Sequence, residues 1–224
     1  MKRKSTPAEH CFIPESYYPV FLNLHNRKAV VCGGGNIAER KVTALLKTGV
    51  KITVISPRLT GRLEREKHKG TIKHLARNYR KGDLKTAFLV IGATDSVETN
   101  KRIARDAPNL VNIVDTPELC NFIVPSVVKR GPLKIAISTG GISPALSRSI
   151  RLEYEKHFGS EFAMYLKLLK TVRQKVKTHV QDRTKRRKLL QEIASEEMMR
   201  IVREKGCKEA GRVMNHLFKK SCER

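Results

Sequence analysis

Three consecutive glycines, Gly33, Gly34 and Gly35, stand between the apolar run KAVVC and the helical pattern NIAERKVTALLKTG. Gly33, Gly35 and Ala38 have the G-x-G-x-x-[G/A] spacing. The first glycine allows a tight turn, the second lets a pyrophosphate approach the backbone, and the small third residue lets helix and strand pack closely. A glycine-rich turn without a ligand would look the same locally. Binding of a dinucleotide usually adds an acidic residue about 20 positions on, to hold the adenosine ribose. The chain instead has Ser56, Pro57 and Arg58 there. Ser56 can bond a ribose hydroxyl and Arg58 can tolerate a 2′-phosphate, which leaves NAD and NADP both open.

Two further groups have chemistry to offer. Asp115 ends the apolar run LVNIVD, so we expect it to be partly desolvated and aimed at a cleft as an acid–base group. It reads equally as a turn residue, since DTPEL leads into a short helix. In ISTGGISP, residues 137–144, paired glycines before Ser143 and Pro144 can turn backbone N–H groups and a helix dipole toward an anion. A plain strand–turn–helix cap is the competing reading.

Positioning these groups requires strands that end together. KAVVC, KITVIS, TIKHLA, AFLVIGAT and LVNIVD read as strands, with KIAIST as a sixth. Helices follow the first strand, with Ile37, Val42, Leu45 and Leu46 near one face, and occur again near 97–106. Alternation of this kind predicts an α/β fold with a doubly wound parallel sheet, whose ligands lie beyond the carboxyl ends of the strands. Gly33–Gly35, Ser56–Arg58, Ala93–Asp95 (with Thr94 between) and Asp115 would then line one crevice. The clusters CFI and YYPVFLNL should pack as a lead-in against the first strand. Ser143 is the expected N-cap of a helix with Pro144 in its first turn. Beyond it, SEFAMYLKLLKTVRQKVKTHV and DRTKRRKLLQEIASEEMMRIVREKG read as two long helices, and CKEAGRVMNHLFKKSCER as another.

The net charge of the 224 residues is +25, with 26 Lys+Arg against 11 Asp+Glu up to residue 150 and 20 against 10 beyond. Such a field favours an acidic partner: nucleic acid, an anionic membrane surface or a small polyanion. Aromatic content of 5% weighs against nucleic acid, and RTKRRK reads as a solvated helix face. Five scattered cysteines and seven histidines show no metal-site spacing, so no metal ligand is assigned. No apolar run approaches a bilayer span, and the basic N-terminus is not followed by a signal-peptide core, so a cytoplasmic protein is expected.

The run YPVFLNLHNRKAVVCGGGNIAERKVTALLKTGVKITVISP, with ATDSVETN and VNIVDTPELCNFIVPSVVKRGPLKIAISTGGISPALSRSIR, resembles the precorrin-2 dehydrogenase family, the dehydrogenase/ferrochelatase module of sirohaem synthesis. The resemblance covers about residues 17–190. It implies a Rossmann-type domain over 1–115, a central dimerisation segment over 116–150 and a helical C-terminal domain over 151–224, assembled as a homodimer. It also implies NAD-dependent oxidation of precorrin-2, which carries eight carboxylates, to sirohydrochlorin. Some members also insert Fe²⁺ as a substrate, and for this chain that stays open. By position, Gly33–Gly35, Asn36 and Ile37 would contact NAD. Ser56, Pro57 and Arg58, with Thr94 and Asp95, would complete its site. Asp115 matches the family's essential aspartate. The tetrapyrrole would lie near Ser138, Thr139, Gly140, Gly141 and Ser143, with Thr139 where some relatives have a second serine. A non-enzymatic NAD-binding regulator fits the glycines equally, but leaves Asp115 and STGGISP without a role.

Overall fold

The computed structural model describes residues 17–222. The CFI cluster and the basic N-terminal decapeptide lie outside the described residues. Contacts divide the chain into two units, Met1–Val124 with Gly140–Ile142, and Pro125–Thr139 with Ser143–Arg224.

In the first unit, β1 (Lys28–Cys32), β2 (Lys51–Ile55), β3 (Ile72–Leu75), β4 (Leu89–Gly92) and β5 (Leu110–Ile113) form one sheet in the order β3-β2-β1-β4-β5. Every pairing is parallel. The runs are apolar on both faces because both faces are covered. Val31, Val54 and Ile91 pack with Ala38, Val42 and Leu45 of α1 (Asn36–Leu46) and Leu63 of α2 (Gly61–His68). Val30, Cys32 and Val90 point the other way, toward Ile103 of α3 (Val97–Asp106) and Tyr79. The expected doubly wound sheet is the observed one.

Three expectations change. KIAIST does not extend the parallel sheet. Leu133–Ile137 (β7) pairs antiparallel with Ser126–Arg130 (β6) in a separate two-stranded sheet. Gly131 and Pro132 make that possible: Gly131 takes φ +57° at the first position of a two-residue turn, the backbone hairpins favour. In the described lead-in Leu24 is buried and Tyr17 half-buried, while Tyr18, Val20, Phe21 and Leu22 are exposed. β1 is flanked by β2 and β4 and covered on both faces, so no apolar surface remains for them. Ile37 is likewise exposed, and Ala38 takes the buried position beside Val42 and Leu45.

The second unit continues with α4 (Pro144–His157), α5 (Glu161–His179), α6 (Arg183–Glu192) and α7 (Glu196–Cys222). Ser143 caps α4 as expected, its hydroxyl accepting from the Leu146 amide at 3.2 Å. The segment expected to form one helix from Asp182 is divided. Ile193 turns into the core, and Ser195 starts the next helix by accepting from the Met198 amide at 3.3 Å. α7 is itself broken at Gly206, where φ is +77°, which separates the last expected helix. Phe162, Tyr165, Val172, Val176, Leu189 and Met214 build the core, and the Tyr165 hydroxyl donates to the Ile193 carbonyl at 2.8 Å.

Candidate functional site

Parallel strands bring β1, β2 and β4 to one edge, and the loops beyond their carboxyl ends enclose a cavity of about 1080 Å³. Gly33–Gly35, Asn36, Ile37, Ser56–Arg58, Thr94 and Asp95 all line it. This volume is at the upper end of ordinary small-ligand sites.

The glycines have distinct tasks. Gly33 has φ +123°, and a Cβ there would meet the Ala93 carbonyl oxygen at 2.1 Å. Gly34 is pressed against the β2 loop, where a Cβ would lie 2.0 Å from the Arg58 carbonyl oxygen. Gly35 has nothing within 4 Å of such a Cβ, and as N-cap of α1 it supplies no side-chain hydrogen bond. Open space therefore meets the first amides of α1, the geometry that receives a phosphate.

The other walls are held by hydrogen bonds. Ser56 is buried, and its hydroxyl donates to the Arg58 carbonyl at 2.7 Å, so only acceptor capacity remains for a ribose. Thr94 donates from its hydroxyl to Asn100 Oδ1 at 2.8 Å, and Asn100 Nδ2 donates to the Thr94 carbonyl at 3.0 Å. Thr60 caps α2 through the Leu63 amide and donates to Glu39 of α1 at 2.6 Å, which ties the two helix starts together.

Several wall residues went unrecognised in the sequence: Thr60, Asn78, Tyr79, Thr99 and Arg102. Tyr79 is buried, donates to Asp106 Oδ2 at 2.5 Å, and lies 5.9 Å beneath the Arg102 guanidinium. Burial, then that carboxylate, raises its hydroxyl pKa far above the ordinary value. Thr99 and Arg102, three apart on the amphipathic stretch 97–106, were the available signal. Asn78 and Tyr79 sit in a loop with no motif.

Asp115 departs from expectation. It does not line the cavity, and it is exposed rather than desolvated. β5 is the edge strand, and the chain leaves it through Asp115 at φ +58° into a single 3-10 turn, Pro117–Leu119. Cys120 closes this corner: its sulfur accepts from the Ile113 amide at 3.1 Å, and burial pushes its thiol pKa up. Asn121 Oδ1 accepts from the Val111 amide at 2.7 Å. Lys41, half-buried on α1, has its ammonium pKa lowered by burial and then by Arg40, with Cys120 and Asp115 pulling the other way.

In the second unit Thr139 Oγ1 accepts from the Ser143 amide at 3.0 Å and lies 3.2 Å from the Ser147 hydroxyl. Gly140 and Gly141 between them take φ +63° and +90°. Among the described residues, no group of three His, Cys, Asp or Glu side chains is placed to hold a metal ion. No helix of the described residues is long and apolar enough to cross a membrane.

Residues 20–126 match the family model described as putative NAD(P)-binding, and residues 130–157 match that of the sirohaem biosynthesis protein central region. A siroheme synthase of Methylobacillus flagellatus is 47% identical over 140 residues, 61% of this chain and 30% of that protein. That of Thioalkalivibrio sulfidiphilus is 38% identical over 182 residues, 79% of this chain and 37% of that one. The chain thus spans about a third of the length of these relatives. The solved structure of SirC, a precorrin-2 dehydrogenase, shares the fold with a TM-score of 0.78 and 24% identity, over 93% of this chain and 100% of that one. On these matches residues 20–126 are similar to NAD(P)-binding proteins and residues 130–157 to the central region of sirohaem biosynthesis proteins, and the chain is similar to siroheme synthases along about a third of their length.

Proposed function

We propose that this protein is an NAD-dependent dehydrogenase that oxidises precorrin-2 to sirohydrochlorin. The observation that carries the reading is the cavity at the ends of β1, β2 and β4, with Gly35 open toward the α1 amides. Gly33–Ile37 would receive the pyrophosphate, Ser56–Arg58 the adenosine end, and Thr94 and Asp95 the far wall. When bound, the nicotinamide supplies the hydride acceptor. The accompanying proton passes to the Asp115 carboxylate, which is exposed and can return it to water. Ser138–Ser143 would hold the tetrapyrrole's carboxylates through backbone amides and hydroxyls, drawn in by the chain's +25 charge.

A homodimer belongs to the same reading. Among the described residues β6 and β7 pair with no other strand, so the hairpin in the 116–150 segment offers two edges to a second copy. Cys32, Cys120, Cys207 and Cys222 are free thiols, which fits the reducing cytoplasm where we place the protein.

The test is a coupled assay in which NADH absorbance and the tetrapyrrole spectrum are followed together after mixing protein, precorrin-2 and NAD. NADH and sirohydrochlorin should appear in equal amounts. No turnover with NAD or NADP overturns the proposal, and dinucleotide binding without turnover assigns the protein to regulation instead. Adding Fe²⁺ at the end of the same assay reads any iron insertion.

A further inference from the structure

The helical unit contains a groove of about 940 Å³ that the reaction does not use. Leu166, Leu169, Lys170 and Arg173 recur at i, i+3, i+4 and i+7 on α5, and Arg183, Arg186, Arg187 and Leu190 do so on α6. Residues so spaced share a helix face. Both stripes line this groove, with Ile193 and Ala194 adding to its apolar floor. RTKRRK is thus part of a concave wall rather than only a solvated face.

The electrostatics of this wall are one-sided. Five cations line it, and no carboxylate does. Some helix cations elsewhere do pair at i+3 or i+4, as in Lys67–Glu64 at 3.2 Å and Arg212–Glu209 at 3.0 Å. Among the described residues none of the groove's five is within 4.0 Å of a carboxylate. Clustered like charges repel and destabilise the compact state unless an anion joins them. Four of the five are arginines, whose planar forks grip carboxylates in pairs of hydrogen bonds. A floor of leucine and isoleucine adds a demand that a simple inorganic anion does not meet.

We propose that the α5–α6 groove is a second ligand site, for a flat apolar ring rimmed with carboxylates. The ring's identity as a tetrapyrrole rests on the function proposed above. Such a site would retain a tetrapyrrole on the protein outside the dehydrogenation site. Nucleic acid fits less well, because the wall contains no aromatic side chain on which bases could stack.

Uroporphyrin I, an octacarboxylate, is the probe, titrated by its own fluorescence into the full chain with hydrogen exchange followed in parallel. Binding should protect residues 166–194, and Arg183→Gln/Arg187→Gln should weaken it at least about tenfold, the loss of two charge-assisted contacts. Arg183→Lys/Arg187→Lys keeps the charge and should recover part of that loss, which separates recognition from misfolding. Coproporphyrin, with four carboxylates, should bind more weakly. Equal affinity of wild type and the Gln variant overturns the proposal, as does protection confined to residues outside 166–194. A duplex oligonucleotide that displaces the porphyrin and protects the same helices at lower concentration also overturns it. Precorrin-2 turnover is measured on the same preparation. Turnover without protection of 166–194 removes the groove alone, whereas protection without turnover supports the groove and removes the dehydrogenase reading.

Discussion

Gly34 and Arg58 meet backbone to backbone. A Cβ on Gly34 would lie 2.0 Å from the Arg58 carbonyl oxygen and 2.6 Å from Ser56 Oγ, while the Thr60 amide donates to the Gly34 carbonyl at 3.1 Å. The turn after β1 and the turn after β2 are thereby fastened into one wall. Neither glycine spacing nor strand pattern indicates that contact.

Substitutions in the triplet should therefore separate stability from binding. Gly34→Ala forces the two turns apart and should cost about 1–3 kcal/mol, the range for overpacking, read as a lower urea midpoint. Gly35→Ala meets nothing in the fold and should change stability by less than about 1 kcal/mol. It should nevertheless raise the Kd for NAD at least about tenfold, since the methyl group enters the phosphate's space. Equal Kd values for wild type and Gly35→Ala would remove this turn from the cofactor site.

Asp115 should be tested with a substitution that keeps its backbone. Its φ of +58° is one that Asn tolerates and Ala resists by roughly 1–2 kcal/mol. Asp115→Asn should keep the wild-type melting temperature and lose at least about 10²-fold in turnover, the scale of an acid–base group. Near wild-type turnover in that variant excludes Asp115 from proton transfer.

Acid sensitivity should trace to Asp83. Arg77 donates both guanidinium arms to it at 2.8 Å, and the Arg80 amide adds a third bond at 2.8 Å. The Arg77 hydrogen bonds hold the carboxyl below its usual range. Its folded-state pKa is depressed, so the stabilisation is whole above the ordinary carboxylate value of about 4 and fades as pH falls through the folded value. Denaturant midpoints measured from pH 6 down to pH 2 should fall for wild type, and Asp83→Asn should flatten that decline.

Thiol reactivity should split by position. Cys32 is fully buried, and burial pushes its thiol to about 12. Cys222 is exposed. At pH 8 a disulfide reagent should label Cys222 promptly and Cys32 only at the rate of global unfolding. Rapid labelling of Cys32, located by peptide mapping, contradicts the packing of β1.

The strand sequence, the strand–glycine–helix opening and the caps at Ser143 and Pro144 were legible in the chain because each depends on local periodicity or on one residue's own geometry. The parallel order follows from the same alternation. Residues distant in sequence had to meet before the rest was decided. Asp115 lies off the cavity because β5 is an edge strand, a fact of strand order. KIAIST left the sheet for a hairpin because SVVKR offered a nearer partner across Gly131 and Pro132. Tyr79 and Arg102 became cavity walls, and RTKRRK joined Lys170 and Arg173 around a groove, only through packing between separate elements. Periodicity states which face of an element is apolar, but not what that face will meet.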